Sequence, residues 1–181
     1  MSVRYITLGM KTTQLFHFTA LFIAVSAALF FWTPDARAEF LGKFQDWEAH
    51  TLKDGGTKVC YAATVPRKSE GKYTRRGDVF LLVSHRPGDK MIGYVSIEAG
   101  YPYGSKSKIT ARIGGASFPM YPGGELAFAH EDRPLVEAMI RGQEMVVTGT
   151  SSRGTLTTDT FSLSGFTAAY KTASKECGVN P

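Results

Sequence analysis

Cysteine is scarce, with Cys60 and Cys177 the only two in 181 residues. A structural zinc site wants four Cys or His ligands at short paired spacings, whereas these two stand far apart with no histidine beside either, so no metal is expected. A densely bridged mini-scaffold is excluded too, and the count leaves one intramolecular pair. Charge of one sign is also scarce. The formal net charge is +5, of which Arg4, Lys11 and Arg37 against Asp35 hold +2 in the first 38 residues, leaving +3 for the rest. Sequence-independent nucleic-acid affinity needs many phosphates neutralised together, so no nucleic-acid partner is expected.

Catalytic signatures are missing as well. No G-x-S-x-G announces a nucleophile elbow. His130-Glu131-Asp132-Arg133-Pro134 opens like a zinc-protease helix but has proline where the second histidine belongs. Gly104-Ser105-Lys106-Ser107 resembles the end of a phosphate loop, yet its lysine does not follow glycine. Without G-x-G-x-x-G after a strand, a dinucleotide has no cradle, and no cofactor is expected.

What is present begins with a leader. Arg4 and Lys11 precede an apolar run from Leu15 to Trp32, then Pro34 and the triplet Ala36-Arg37-Ala38. That order is the layout of a secretory signal peptide over residues 1–38, cleaved before Glu39. The alternative is an uncleaved anchor, since a bilayer span needs roughly 17 to 25 residues. The remainder, 39–181, suits one domain with no further membrane span. Export places Cys60 and Cys177 where disulfides persist, and a bridge between them is expected.

Along 39–181, short apolar stretches separated by Gly, Pro and charged clusters read as consecutive strands. Val79 to Val83, apolar throughout, predicts a central strand covered on both faces, and Met91 to Ala99 alternates as a half-buried strand. Gly114-Gly115 predicts a two-residue hairpin turn. Pairing outward from it sets Ile113 opposite Ala116, Ala111 opposite Phe118 and Ile109 opposite Met120, with Pro119 expected at an edge or a strand end. Asp132 is expected to cap a helix with the stripe Leu135, Val136, Met139 and Ile140, ended by Gly142. Ser164 is expected to cap a second helix, on which Phe166, Ala169, Tyr170 and Ala173 share a face. Eleven residues beyond Phe166, helical phase turns Cys177 to that same face. The expected fold is mainly β: a β-sandwich of antiparallel strands with two short helices, the C-terminal one packed on the sheet.

Two constellations are candidate sites. His50, His85 and His130, with Asp78 or Glu98, would make an acid/base pair or a metal site if they converged, which motivates an alternative reading as a periplasmic hydrolase of cell-wall or polysaccharide substrates; the simpler expectation is ordinary strand-end and loop histidines. The stretch from Pro66 to Gly77 concentrates Arg67, Lys68, Lys72, Arg75 and Arg76 around Tyr73, with Glu70 the one acid. It is a candidate contact for an anionic partner, such as an acidic surface polymer or an acidic patch of an envelope protein, or else a solvated loop. The hydroxyl-rich run from Thr148 to Thr160 is read as structural, because threonine suits exposed strand faces.

Phe161-Ser162-Leu163-Ser164-Gly165-Phe166-Thr167-Ala168-Ala169-Tyr170 resembles the closing signature of the invasion-associated locus B family of exported bacterial proteins. Phe44-Gln45-Asp46-Trp47-Glu48 and Lys58-Val59-Cys60 are similar to its opening. The chain resembles a divergent branch with a single Cys pair, since no Cys closely follows Trp47 and no closely spaced pair stands mid-chain. The resemblance implies a periplasmic or cell-surface protein of an alphaproteobacterium, a β-sandwich fold, no established enzymatic activity, and in some relatives a link to host-cell entry. The expected function is thus an exported, non-enzymatic envelope protein that binds or stabilises another envelope or surface component.

Overall fold

The computed structural model describes residues 38–180, and the expected leader lies outside them but for Ala38. The strands are β1 (Glu39–Phe44), β2 (Trp47–Asp54), β3 (Thr57–Thr64), β4 (Lys68–Gly71), β5 (Phe80–Arg86), β6 (Met91–Glu98), β7 (Ile109–Ile113), β8 (Ala116–Gly123), β9 (Leu126–Ala129), β10 (Glu144–Thr150) and β11 (Leu156–Ser162). Helix α1 (Asp132–Arg141) lies between β9 and β10, and α2 (Phe166–Glu176) follows β11.

All eleven strands join one antiparallel sheet in the order β1-β2-β3-β5-β6-β9-β8-β7-β10-β11-β4. Strand β3 is third and β4 last, yet only Val65, Pro66 and Arg67 separate them. Laid flat, eight strand spacings would be about 38 Å. Four Cα steps reach only about 14 Å. The sheet must therefore fold over on itself, and one continuous sheet supplies both layers of the sandwich. Hydrogen bonds fasten the closure: Trp47 Nε1 donates to the Ser162 carbonyl at 2.9 Å, and the Arg67 amide to the Thr160 carbonyl at 2.8 Å.

The hairpin has the expected register, from Ile113↔Ala116 through Ile109↔Met120. Strand β8 is interior, however, between β7 and β9, so Pro119 is not at a sheet edge. The β8–β9 ladder begins at Met120, one residue later; at Pro119 the carbonyl still accepts from the His130 amide at 3.2 Å, so the proline forgoes only its N–H at the mouth of that ladder. In β5, Leu81, Val83 and His85 are buried while Phe80, Leu82 and Ser84 are half-buried. Only one face is covered, contrary to the expectation from its unbroken apolar run.

Both helices present the expected stripes, with Leu135, Val136 and Met139 buried on α1 and Phe166, Ala169, Tyr170 and Ala173 buried on α2. Ile140 is exposed. Neither expected cap operates. Asp132 is the first helical residue, and its Oδ1 accepts from the Val95 amide at 2.8 Å, tying α1 to β6. Ser164 hydrogen-bonds the Gln45 side chain, and Gly165 occupies the N-cap of α2 at φ +92°. A Cβ at Gly165 would lie 1.8 Å from the Phe44 carbonyl oxygen, so glycine is required there for space as well as for backbone angle.

Helix α2 lies across β1, β2, β3 and β5. Phe166 packs on Trp47 with ring centroids 4.8 Å apart, and Cys177 at the helix end is disulfide-bonded to Cys60 on β3, with Cα atoms 5.8 Å apart. Among the described residues no helix is long and apolar enough to cross a membrane.

Candidate functional site

The histidines do not converge. His50 lies on the outer face of β2, stacked on Tyr61 at 5.3 Å and 3.3 Å from Glu48. His130 is exposed beside Tyr121. His85 is fully buried on the inner face of β5, under α2. Its Nδ1 accepts from the Gly93 amide at 3.1 Å, and its Nε2 is 3.0 Å from Ser174 Oγ. Because Ser174 donates to the Tyr170 carbonyl at 2.8 Å, Nε2 must carry the proton and donate to the serine. Burial lowers the His85 pKa to about 4, so the ring is neutral at ordinary pH. Neither Asp78 nor Glu98 forms a hydrogen bond or ion pair with any of the three histidines, and among the described residues no cluster of His, Cys, Asp and Glu could hold a metal.

The basic stretch divides into two sets. Arg67 pairs with Asp46 at 2.5 Å and Lys68 with Glu70 at 2.9 Å. The Arg76 side chain is 5% exposed and grips Asp159, itself 3% exposed, through two bonds of 2.8 and 2.7 Å, while its Nε donates to the Ala99 carbonyl at 2.7 Å. Burial opposes the Arg76 charge, but Asp159 outweighs it and holds the guanidinium pKa above its ordinary value. The guanidinium also lies 5.0 Å from the Tyr101 ring centroid and 5.5 Å from that of Tyr73. These three cations are neutralised. Lys72 and Arg75 are exposed and have no ion pair among the described residues.

Strand pairing explains what else comes to this place. Strand β4 runs antiparallel to β11, with Gly71 opposite Thr157 and Lys68 opposite Thr160. The residues that follow β4 must therefore lie beside those that precede β11. Between them opens a cleft of about 590 Å³, lined by Lys72, Tyr73 and Arg75 on one side and by Ser152, Arg153 and Thr155 on the other. Arg153 is exposed and, like Lys72 and Arg75, unpaired among the described residues. Glu125 is the one carboxylate among the lining residues, and none of them is histidine.

The floor is rigid. Tyr101 and Thr157 share a hydrogen bond of 2.5 Å between their hydroxyls, and burial raises the Tyr101 pKa. Gly77 donates to the Gly100 carbonyl at 2.9 Å, and a Cβ on Gly100, at φ +68°, would stand 2.4 Å from the Gly77 oxygen. The wall is rigid as well. Ser151 Oγ accepts from the amides of Arg153 and Thr155 at 3.3 and 3.2 Å, so this serine in the hydroxyl-rich run is structural, as expected. That run nevertheless contributes Arg153 and Ser152 to the cleft, which its composition did not announce.

Among curated proteins none matches the sequence. A solved structure, invasion associated protein B from Bartonella henselae, matches 78% of this chain and 97% of its own, with a TM-score of 0.55 at 16% identity, a likeness of fold. The family model for the invasion associated locus B protein matches residues 47–174, from Trp47 in the closure to Ser174, the hydrogen-bond partner of His85. The chain belongs to the invasion associated locus B family.

Proposed function

We propose that this is an exported envelope protein that binds an anionic component of the cell envelope or of an apposed cell surface, without turning it over. One observation carries this: Lys72, Arg75 and Arg153 meet around a cleft with a hydrogen-bonded floor and have no ion-pair partners among the described residues, while the neighbouring Arg67, Lys68 and Arg76 are each matched by a carboxylate. Exposed charges on a fixed frame attract an opposite charge without first breaking an internal pair. Binding rather than hydrolysis is favoured because the cleft offers one carboxylate and no histidine to move protons. The family description, invasion associated, supports a reading in which the anionic component belongs to a surface the bacterium contacts. The periplasm or the outer cell surface is the proposed compartment, reached through the leader.

Retention on immobilised polygalacturonate tests the binding. The protein is expected to be held at low salt and released as salt rises, because screening acts over about 10 Å at 0.1 M ionic strength. The variant Lys72→Ala/Arg75→Ala/Arg153→Ala is expected to bind at least about tenfold more weakly, with stability unchanged within about 0.5 kcal/mol, as for surface substitutions in general. Equal retention of the variant would sink the proposal.

A further inference from the structure

The cleft does not end at Ser152. On the other side of the 151–155 turn lies a second cleft of about 660 Å³, which shares Ser151 and Ser152 with the first and is flanked by Lys106 and Lys108. Both lysines are exposed and unpaired among the described residues, and no carboxylate lines this second cleft. The ridge between the clefts is fixed from both sides. Ser151 donates its amide to the Thr155 carbonyl at 2.9 Å, Ser152 to the Pro102 carbonyl at 2.8 Å, and Ser107 Oγ accepts from the Thr150 amide at 2.8 Å. Five cations thus stand in two groups on either side of a narrow, well-held ridge.

We infer that the two clefts form one track for an extended acidic polysaccharide that crosses the ridge at Ser151–Ser152, an inference that rests on the anion-binding function proposed above. Lys72, Arg75 and Arg153 hold one stretch of its acidic groups, and Lys106 and Lys108 hold the next. A small anion reaches one group of cations only. A chain with charges at intervals meets both, and the second contact then forms at the high effective concentration set by the first. A glycan suits the track better than single-stranded nucleic acid. Nucleic acid uses successive aromatic platforms for its bases. Here Tyr103 is buried, Tyr101 is engaged by Thr157 and Arg76, and only Tyr73 is exposed. The exposed hydroxyls of Ser105 and Ser152 instead both donate and accept, which matches sugar hydroxyls.

Calorimetry with galacturonate oligomers of defined length, a trimer and a dodecamer, tests the track. The dodecamer is expected to bind more tightly than the trimer. In Lys106→Ala/Lys108→Ala that length advantage is expected to fall about tenfold, while trimer affinity stays unchanged. The gain a longer chain has merely from offering more registers survives in this variant, so the fall isolates the second cleft. An undiminished length advantage would overturn the track while leaving the first cleft's anion binding intact. A trimer and dodecamer that both fail to bind would overturn the anion-binding function itself. Tighter binding of oligothymidylate than of galacturonate of equal charge would overturn the assignment to a glycan.

Discussion

The two ends of the sheet treat buried polar groups differently. Beneath α2, the buried polar side chains are neutral: His85 passes a hydrogen bond through Ser174 to the Tyr170 carbonyl, and a disulfide closes the same corner. Beneath the cleft, the buried groups are fully charged, Arg76 against Asp159, with aromatic rings around them. A neutral relay tolerates burial because no ion loses its hydration. A buried ion pair is costly to form and more costly to break, because each partner strands the other. The relay fastens a helix, whereas the ion pair underlies a surface whose remaining cations have no carboxylate of their own.

The largest effect is expected from breaking the charged floor. Asp159→Ala leaves Arg76 buried without its partner and is expected to cost about 3 to 5 kcal/mol by urea denaturation. Arg76→Met/Asp159→Leu, which removes both charges, is expected to recover most of that loss. A mild effect of Asp159→Ala would mean the two ends are more alike than their chemistry suggests.

Next in size is the clasp. Cys60→Ser is expected to lower stability by about 2 to 4 kcal/mol, short of the roughly 4.7 that chain entropy gives for a loop of about 100 residues. Retention on polygalacturonate is expected to persist, since neither Cys60 nor Cys177 lines the cleft. Two thiols open to alkylation in the unreduced native protein would contradict the bridge.

The smallest effect per unit of change is a pH dependence from His85. Its folded pKa, about 4, lies below the ordinary 6.5, so the unfolded chain binds more protons between those values. The neutral ring's contribution is complete above pH 6.5 and is lost as pH falls towards 4. The expected slope is about 1 kcal/mol per pH unit in that window. Stability against pH in the native protein and in His85→Gln should differ by that slope, and parallel curves would show that His85 is not held neutral.

Much of the fold was legible because its signals are local. Gly114-Gly115 admits one register that puts Ile109, Ala111 and Ile113 on one face, and the spacing from Phe166 to Cys177 sets a helical phase. The caps were misread because Asp132 and Ser164 found tertiary partners, Val95 and Gln45, that compete with their own helix. Half of the site was legible for the same reason the fold was: the cations cluster in sequence. Which of them are neutralised was not, since Asp46 and Asp159 are distant partners of Arg67 and Arg76. Arg153 escaped because only the β4–β11 pairing brings it beside Arg75.

That pairing also orders events in time. Strand β4 has one neighbour in the sheet, β11, made from residues that follow it by more than eighty positions, and the Trp47 indole waits for the Ser162 carbonyl, 115 residues away. As a chain emerges from its N-terminus, the successive hairpins of β1, β2, β3, β5 and β6 can zip at once. Strand β4 and Trp47 cannot engage until nearly the last residue is free. Non-local closure of this kind is slow, because a long loop must be ordered before its contacts form. Assembly therefore finishes late at one seam, and a chain cut short of Thr157 keeps both its tryptophan donor and the strand leading to its cleft unpaired.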